Sequence, residues 1–278
     1  MNTFLKQANG AGGAQIYVVT GANRGLGRAI SVELSRRATA ESPRHILLVG
    51  RNQQGLESTA FQSSTGTHAH LYALGSVELT ADAGKVAEQV ISKLQAIVAS
   101  LANTPAMLCL VNCAGTISDL SKTVDQYTAD EVALYTQVNF VSFASLTSGF
   151  LAFCKEMDDG VQRVGVVNIS SLLAVKAFAN WGLYAALKAA RDQYLLVAAL
   201  ENADGGRTRV LNYAPGPLDN DMQADVRAQI SDLEQKKIYD DMHRQGKLVK
   251  VQDTARVMCE LLDKWEFQSG AHVDYYDI

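Results

Sequence analysis

Short, wholly apolar runs alternate along this chain with longer stretches whose apolar positions recur every three to four residues. Ile16–Thr20, His45–Gly50, His68–Leu74, Met107–Val111, Val164–Ile169, Arg209–Tyr213 and Gly270–Val273 read as seven strands. Most of these runs are continuous rather than alternating, as burial on both faces of a sheet requires. Between them, Gly25–Arg37 sets Leu26, Ile30 and Leu34 on one helical stripe, and Ala83–Leu101 does the same with Val86, Val90, Leu94, Ile97 and Val98. Gln53–Ser63 is a weaker helix, and Thr254–Lys264 is a last amphipathic one. Ala129–Phe153 and Gly182–Glu201 predict two long helices that are apolar on several sides. Strands separated by helices predict an α/β fold, a Rossmann-like doubly wound sheet of about seven parallel strands with helices on both faces.

One dinucleotide-binding catalytic domain, 14–278, is expected after a loose polar arm, 1–13. The segment 219–246 breaks the rhythm, being polar, charged and helical in flavour, and reads as a lid over a site. Composition narrows the class. Hydrophobic residues make up 47% of the 278 and charged residues 19%, which excludes a disordered or collagen-like chain. The net charge of −4 argues against a grip on nucleic acid or anionic lipid. Cys109, Cys113, Cys154 and Cys259 form no CxxC pair and no zinc-ligand spacing, so four free thiols and no metal are expected. No apolar run near the N-terminus has the form of a signal peptide, and Leu195–Leu200, the longest apolar stretch near the middle, is too short for a bilayer. The expected location is the cytoplasm.

The first predicted strand runs into Thr20-Gly21-Ala22-Asn23-Arg24-Gly25-Leu26-Gly27, and a helix follows. A phosphate needs close backbone approach and the free N–H groups of a helix N-terminus. Gly21, Asn23, Arg24, Gly25, Leu26 and Gly27 are therefore candidate cofactor contacts. The spacing is G-x-x-x-G-x-G rather than G-x-G-x-x-G, so the strand before and the helix after carry the reading. The second strand ends in Val49-Gly50-Arg51-Asn52, with no carboxylate to accept a ribose 2′-hydroxyl. Arg24 and Arg51 can instead face a 2′-phosphate, which predicts NADPH/NADP as cofactor.

Tyr184 and Lys188 stand at i, i+4, on one face of a helix. A lysine beside a phenol favours the phenolate, so the Tyr184 pKa is expected to fall. Such a tyrosine can exchange a proton with a carbonyl or hydroxyl. Ser170 and Ser171 follow the fifth strand, at the end of the sheet where α/β folds place their sites.

These pieces together resemble the short-chain dehydrogenase/reductase family: the Thr20–Gly27 loop, Asn112-Cys113-Ala114-Gly115, Asn139, Ser171, Tyr184, Lys188 and Pro215-Gly216. The resemblance spans nearly the whole chain. It implies that Tyr184 is the acid/base, that Lys188 lowers its pKa and binds the nicotinamide ribose, that Ser171 holds the substrate carbonyl, and that Asn139 supports a proton relay. It further implies cofactor contacts at Asn52, Glu78, Leu79 and Asn112, and a cover over nicotinamide and pyrophosphate from Leu218, Asp219, Asn220, Asp221, Met222 and Gln223. Cys113 departs from the family, which usually has a second Asn there, and Glu78 stands where Asp is common.

The strings Val210-Leu211-Asn212-Tyr213-Ala214-Pro215-Gly216-Pro217-Leu218-Asp219 and Ser269-Gly270-Ala271-His272-Val273-Asp274-Tyr275-Tyr276-Asp277 resemble one branch of that family, which reduces side-chain carbonyls of pterins with NADPH. For that branch the resemblance implies a pterin anchored on Asp274, with Leu172 and Gly216 beside it. A carboxylate can accept two parallel N–H bonds from the 2-amino-pyrimidinone edge, as it does from a guanidinium. Trp181 and Tyr275 are candidates to stack on the ring, whereas His243 and His272 show no partner in the sequence and receive no role. The expected partners are a small pterin and a second copy of the chain, through the helices at 129–153 and 182–201. The alternatives are a general dicarbonyl or ketone reductase of the same family, which needs no pterin anchor, and a non-catalytic NADPH-sensing module. The presence of Ser171, Tyr184 and Lys188 disfavours the sensor.

Overall fold

A computed structural model describes residues 13–64, 67–157, 160–203 and 205–278. The expected arm thus lies outside the described residues except for Gly13. Seven parallel strands form one sheet in the order β3-β2-β1-β4-β5-β6-β7. They are β1 (Gln15–Thr20), β2 (Arg44–Val49), β3 (Ala69–Leu74), β4 (Met107–Asn112), β5 (Arg163–Ile169), β6 (Thr208–Ala214) and β7 (His272–Asp274). The helices are α1 (Gly25–Arg36), α2 (Gln53–Ser63), α3 (Ala83–Ala99), α4 (Ala129–Thr136), α5 (Ser142–Glu156), α6 (Gly182–Glu201), α7 (Asp221–Gln229), α8 (Leu233–Arg244) and α9 (Val251–Lys264).

The apolar runs sit where continuous burial requires. Every residue of β2 and β4 is buried, so both sheet faces need cover. One face packs Val18, Leu47, Leu110 and Val166 against Val86, Val90 and Leu94 of α3, Phe143 and Phe150 of α5, and Leu195 of α6. The other packs Tyr17, Val19, Leu48 and Leu211 against Leu26, Ile30 and Leu34 of α1, Leu56 of α2, and Met258 and Leu262 of α9. β1 and β4 pair in register from Gln15↔Met107 to Val19↔Val111, and strand order reverses between them. That switch point opens a crevice at the carboxyl ends of the strands.

Two expectations change and a third is refined. The helix expected over 129–153 is not uniform: a π-helical turn, Gln137–Val141, separates α4 from α5. It contains Asn139, and such single π turns concentrate at functional sites. The final strand begins at His272 rather than Gly270, because Gly270 has φ +86° and turns the chain against Leu196 of α6. Leu195–Leu200 stands as the longest uninterrupted apolar run near the middle, but a longer helical segment is apolar on average. Ala129–Glu156 is 28 residues long and apolar enough to cross a bilayer by composition, yet Phe143, Leu146, Phe150 and Cys154 bury it in the core. It is a core helix of the sheet.

The segment read as a lid forms α7 and α8, which dock on the chain before α6. Val226 of α7, Ile230 just after it and Tyr239 of α8 pack with Leu120, Trp181 and Tyr184. Gln235 of α8 is held twice, accepting from Trp181 Nε1 at 2.8 Å and donating to Ala179 O at 2.9 Å.

Candidate active site

The glycine loop works through close backbone packing. Gly21 and Gly25 have φ of +69° and +54°, the left-handed region that favours glycine. A Cβ on Gly27 would stand 2.3 Å from the Gly21 carbonyl oxygen, so the first turn of α1 lies directly on the loop. Arg24, at the N-cap of α1, gives no side-chain cap, and no acidic residue occupies the first turn. Those N–H groups, with open space around the Cβ position of Gly25, form a cradle that fits a pyrophosphate. Thr20 ties this loop to the segment after β4, its Oγ1 accepting from the backbone N–H groups of Cys113 and Ala114 at 3.0 Å each. Arg28, which the sequence reading passed over, clamps the loop from α1. It donates to Asn23 O at 2.6 Å and to Thr59 Oγ1 at 3.0 Å.

The other predicted cofactor contacts divide by what their side chains do. Arg51 is exposed just beyond β2. Arg24 does not face it alone: its guanidinium pairs with Asp221 Oδ2 at 3.1 Å, joining the glycine loop to the start of α7. Asn52 caps α2, accepting from Gly55 N at 2.8 Å. Glu78 is exposed and Leu79 half-buried in the turn after β3. Asn112 is 2% exposed and donates to Thr147 Oγ1 of α5 at 3.1 Å, so its side chain staples sheet to helix. Leu218 bridges to Val249, and Asp219 N donates to Val249 O at 2.8 Å. Asn220 caps α7 through Gln223 N, with Met222 half-buried beside it. Gln223 is buried, and its Nε2 has no partner among the described residues.

Ser171, Tyr184 and Lys188 gather at the carboxyl end of β5. Ser171 caps a short 3-10 turn, accepting from Leu173 N at 3.2 Å, and also hydrogen-bonds Tyr184. Lys188 Nζ donates to Ile169 O at 2.5 Å and stands 5.5 Å over the Tyr184 ring. Asn139, buried in its π turn, accepts from Thr116 N at 2.9 Å and donates to Tyr135 O at 3.1 Å. Leu172 is exposed beside this group. Gly216 has φ +77°, and a Cβ there would lie 3.0 Å from Val249 and 3.4 Å from Tyr276. Asp274 ends β7, with one carboxylate oxygen accepting from Tyr276 N at 3.0 Å.

The electrostatics overturn one expectation. Burial pushes Tyr184 up to about 12 rather than down, against the pull of the Ser171 hydrogen bond and the Arg191 charge. Burial outweighs every group that would lower it. Burial, and then repulsion from Arg191, brings Lys188 itself down to about 7. Arg191 is 3% exposed, donates to Ala114 O at 3.2 Å and lies 4.4 Å over the Phe143 ring. A second correction concerns Trp181, which is 4% exposed and edge-on to Tyr184, so it is packing rather than an open stacking face. Tyr275 is half-buried and edge-on to Tyr276, and His243 is exposed on α8. His272, by contrast, has a partner: its Nδ1 lies 2.7 Å from Asp192 Oδ2, and that bond holds it above the usual histidine range.

A glycine-loop cradle at the switch point thus lies beside a serine, tyrosine and lysine at the end of the fifth strand. Residues 15–231 match the short chain dehydrogenase family. The chain belongs to it. It is 38% identical over 271 residues to the sepiapterin reductase of Xenopus tropicalis, covering 97% of this chain and 99% of the relative. It is 25% identical over 255 residues to the benzil reductase ((S)-benzoin forming) of Bacillus cereus, covering 91% and 96%. The crystal structure of the KRED1-Pglu enzyme shares the fold, with a TM-score of 0.77, 23% identity, and 93% and 100% of the two chains covered. This short-chain dehydrogenase is therefore a sepiapterin reductase-like oxidoreductase of a family that uses NAD(P).

Two outcomes follow from this geometry. Gly27→Ala drives a Cβ into backbone that has nowhere to move, so dinucleotide affinity measured by fluorescence titration falls tenfold or more. The same change costs about 1–3 kcal/mol of stability. Lys188 bears a burial penalty that is full below pH 7, where folded and unfolded chains both carry the charge. The penalty fades as pH rises from about 7 to 10.5, where the unfolded lysine also becomes neutral. Lys188→Met therefore stabilises the unliganded protein against urea by roughly 2–3 kcal/mol at pH 6, an advantage that shrinks toward zero near pH 10.5.

Proposed function

We propose that this enzyme uses NADPH to reduce side-chain carbonyls of 6-substituted pterins, such as sepiapterin and 6-pyruvoyl-tetrahydropterin, in tetrahydrobiopterin synthesis. The observation that carries the reading is the seat of Asp274. It stands at the carboxyl end of the sheet, in the turn whose Tyr275 and Tyr276 pack on Gly216, in a chain alike end to end to sepiapterin reductases. A pterin takes its pyrimidine edge to Asp274, with Leu172 and Gly216 beside it, and presents its carbonyl to Ser171 and Tyr184. A bound nicotinamide supplies the hydride. Tyr184, held as a neutral phenol by burial, already carries the proton that carbonyl reduction consumes. Lys188 orients the nicotinamide ribose, and Asn139, fixed by its two backbone bonds, supports proton resupply. Arg51, with Arg24 from the loop, selects the 2′-phosphate, and 218–223 closes over the cofactor, with 219–246 acting as a lid on a single domain.

The benzil reductase likeness favours a second reading, a general dicarbonyl reductase using the same Asn139, Ser171, Tyr184 and Lys188. NADPH oxidation with sepiapterin and with a small diketone separates the two. Tyr184→Phe loses at least a hundredfold in kcat on both. Asp274→Ala loses sepiapterin turnover tenfold or more and keeps diketone turnover. A wild type that ignores sepiapterin and reduces the diketone overturns the pterin reading, and a Tyr184→Phe protein with near-normal turnover overturns the chemistry.

We further propose a cytoplasmic homodimer. The four cysteines are free, and Leu134 of α4 and Val197 and Leu200 of α6 expose apolar side chains on the two helices expected to pair. Leu200→Glu shifts the protein to monomer in light scattering after size exclusion, while an unshifted mass rejects α6 as the interface.

A further inference from the structure

The four strands at the right of the sheet share a polar rung. Asn112 of β4, Asn168 of β5, Asn212 of β6 and His272 of β7 occupy one register row. The three asparagines are at most 2% exposed. Most buried amides are hydrogen-bonded: Asn112 donates to Thr147 of α5, and α6 supplies a partner for Asn168. Asp192 accepts from Asn168 Nδ2 on Oδ1 at 2.9 Å, and from Ser170 Oγ on Oδ2 at 2.8 Å. The same Oδ2 meets His272 Nδ1 at 2.7 Å, while His272 Nε2 is buried without a partner among the described residues. One carboxylate thus joins the residue before Ser171, the helix that carries Tyr184 and Lys188, and the edge strand that carries Asp274.

That edge strand is placed by backbone bonds before it, Gly270 N donating to Val210 O at 2.7 Å and Asn212 N to Ala271 O at 3.0 Å, and by Val273 packed on the core. β7 is three residues long and pairs only with β6, over Asn212↔His272, Tyr213↔Val273 and Ala214↔Asp274. His272 and Asp274 lie on the same face of it, because side chains alternate along a strand. A shift of β7 carries both together, and the Asp192 bond is a polar side-chain tether on that face that opposes the shift.

We propose that His272 is a positioning residue, which through Asp192 sets the spacing between Asp274 and the Ser171–Tyr184 pair and so fixes which substrate atom reaches the tyrosine. The inference rests on the reading of Asp274 as the pterin anchor. It concerns long substrates held at both ends, since a small diketone touches only the catalytic end.

The test is steady-state kinetics of the NADPH-loaded enzyme with sepiapterin and with a small diketone. His272→Leu removes the donor, whereas His272→Asn places an amide N–H near the Nδ1 position and keeps the Asp192 bond. His272→Leu raises KM for sepiapterin at least tenfold and leaves diketone kcat/KM within twofold of wild type. His272→Asn restores sepiapterin KM to within threefold. If His272→Leu does not fold, His272→Gln replaces it, because its amide lies one methylene too far out to reproduce the Nδ1 bond. Equal losses on both substrates, failure of the asparagine to rescue, or an unchanged sepiapterin KM each overturn the proposal. Asp274→Ala tells the two failures apart. A silent Asp274→Ala removes the anchor reading itself, whereas a damaging Asp274→Ala beside a silent His272→Leu removes only the positioning role.

Discussion

Helix α6 carries two cations and an anion, Lys188, Arg191 and Asp192, into the end of a sheet where water is scarce, and the site is built around solvating them. Isolated charges in such surroundings are costly, so each must find a fixed partner. Lys188 takes the Ile169 carbonyl, Arg191 takes the Ala114 carbonyl and the Phe143 ring, and Asp192 takes Ser170, Asn168 and His272. Each partner belongs to a strand end, the loop after one, or a helix packed on the sheet. Satisfying the charges therefore fixes α6 against β4, β5 and β7, and Ser171, Tyr184 and Lys188 inherit that rigidity.

The same economy explains the pKa pattern. Burial raises Tyr184 and lowers Lys188, because both charged forms lose water. A tyrosine with a high pKa keeps its proton, which suits carbonyl reduction as the forward reaction. The π turn at Asn139 belongs to this design too. It lets the side chain reach both Tyr135 O and Thr116 N, bracing the chain after β4, and a Cβ on Gly115 would crowd it at 3.2 Å.

On the cofactor side the constraint is steric rather than electrostatic. Gly27 lies on Gly21, Gly21 lies on Ala114, and Thr20 and Arg28 tie the loop to its neighbours on either side. The Arg24–Asp221 pair is exposed, so it contributes little to stability. It runs from the glycine loop to the first turn of α7.

The sequence by itself determined the parallel sheet, the crossover helices, the glycine loop and the Ser171–Tyr184–Lys188 group. Each is written in local periodicity or in spacing within one element and its neighbours. Even the bounds of α2 and α6 follow from their apolar pattern and flanking residues. The direction of the Tyr184 shift was not legible, because desolvation depends on how many atoms surround a group and not on which residue stands four positions away. The partner of His272 lies eighty positions back on another element, and no local pattern pairs them. Arg28, Arg191 and Asp192 received no role from the sequence, and it is the fold that turns them toward their partners. Tertiary packing alone decided which polar side chains lost water, and that loss makes the end of the sheet a site.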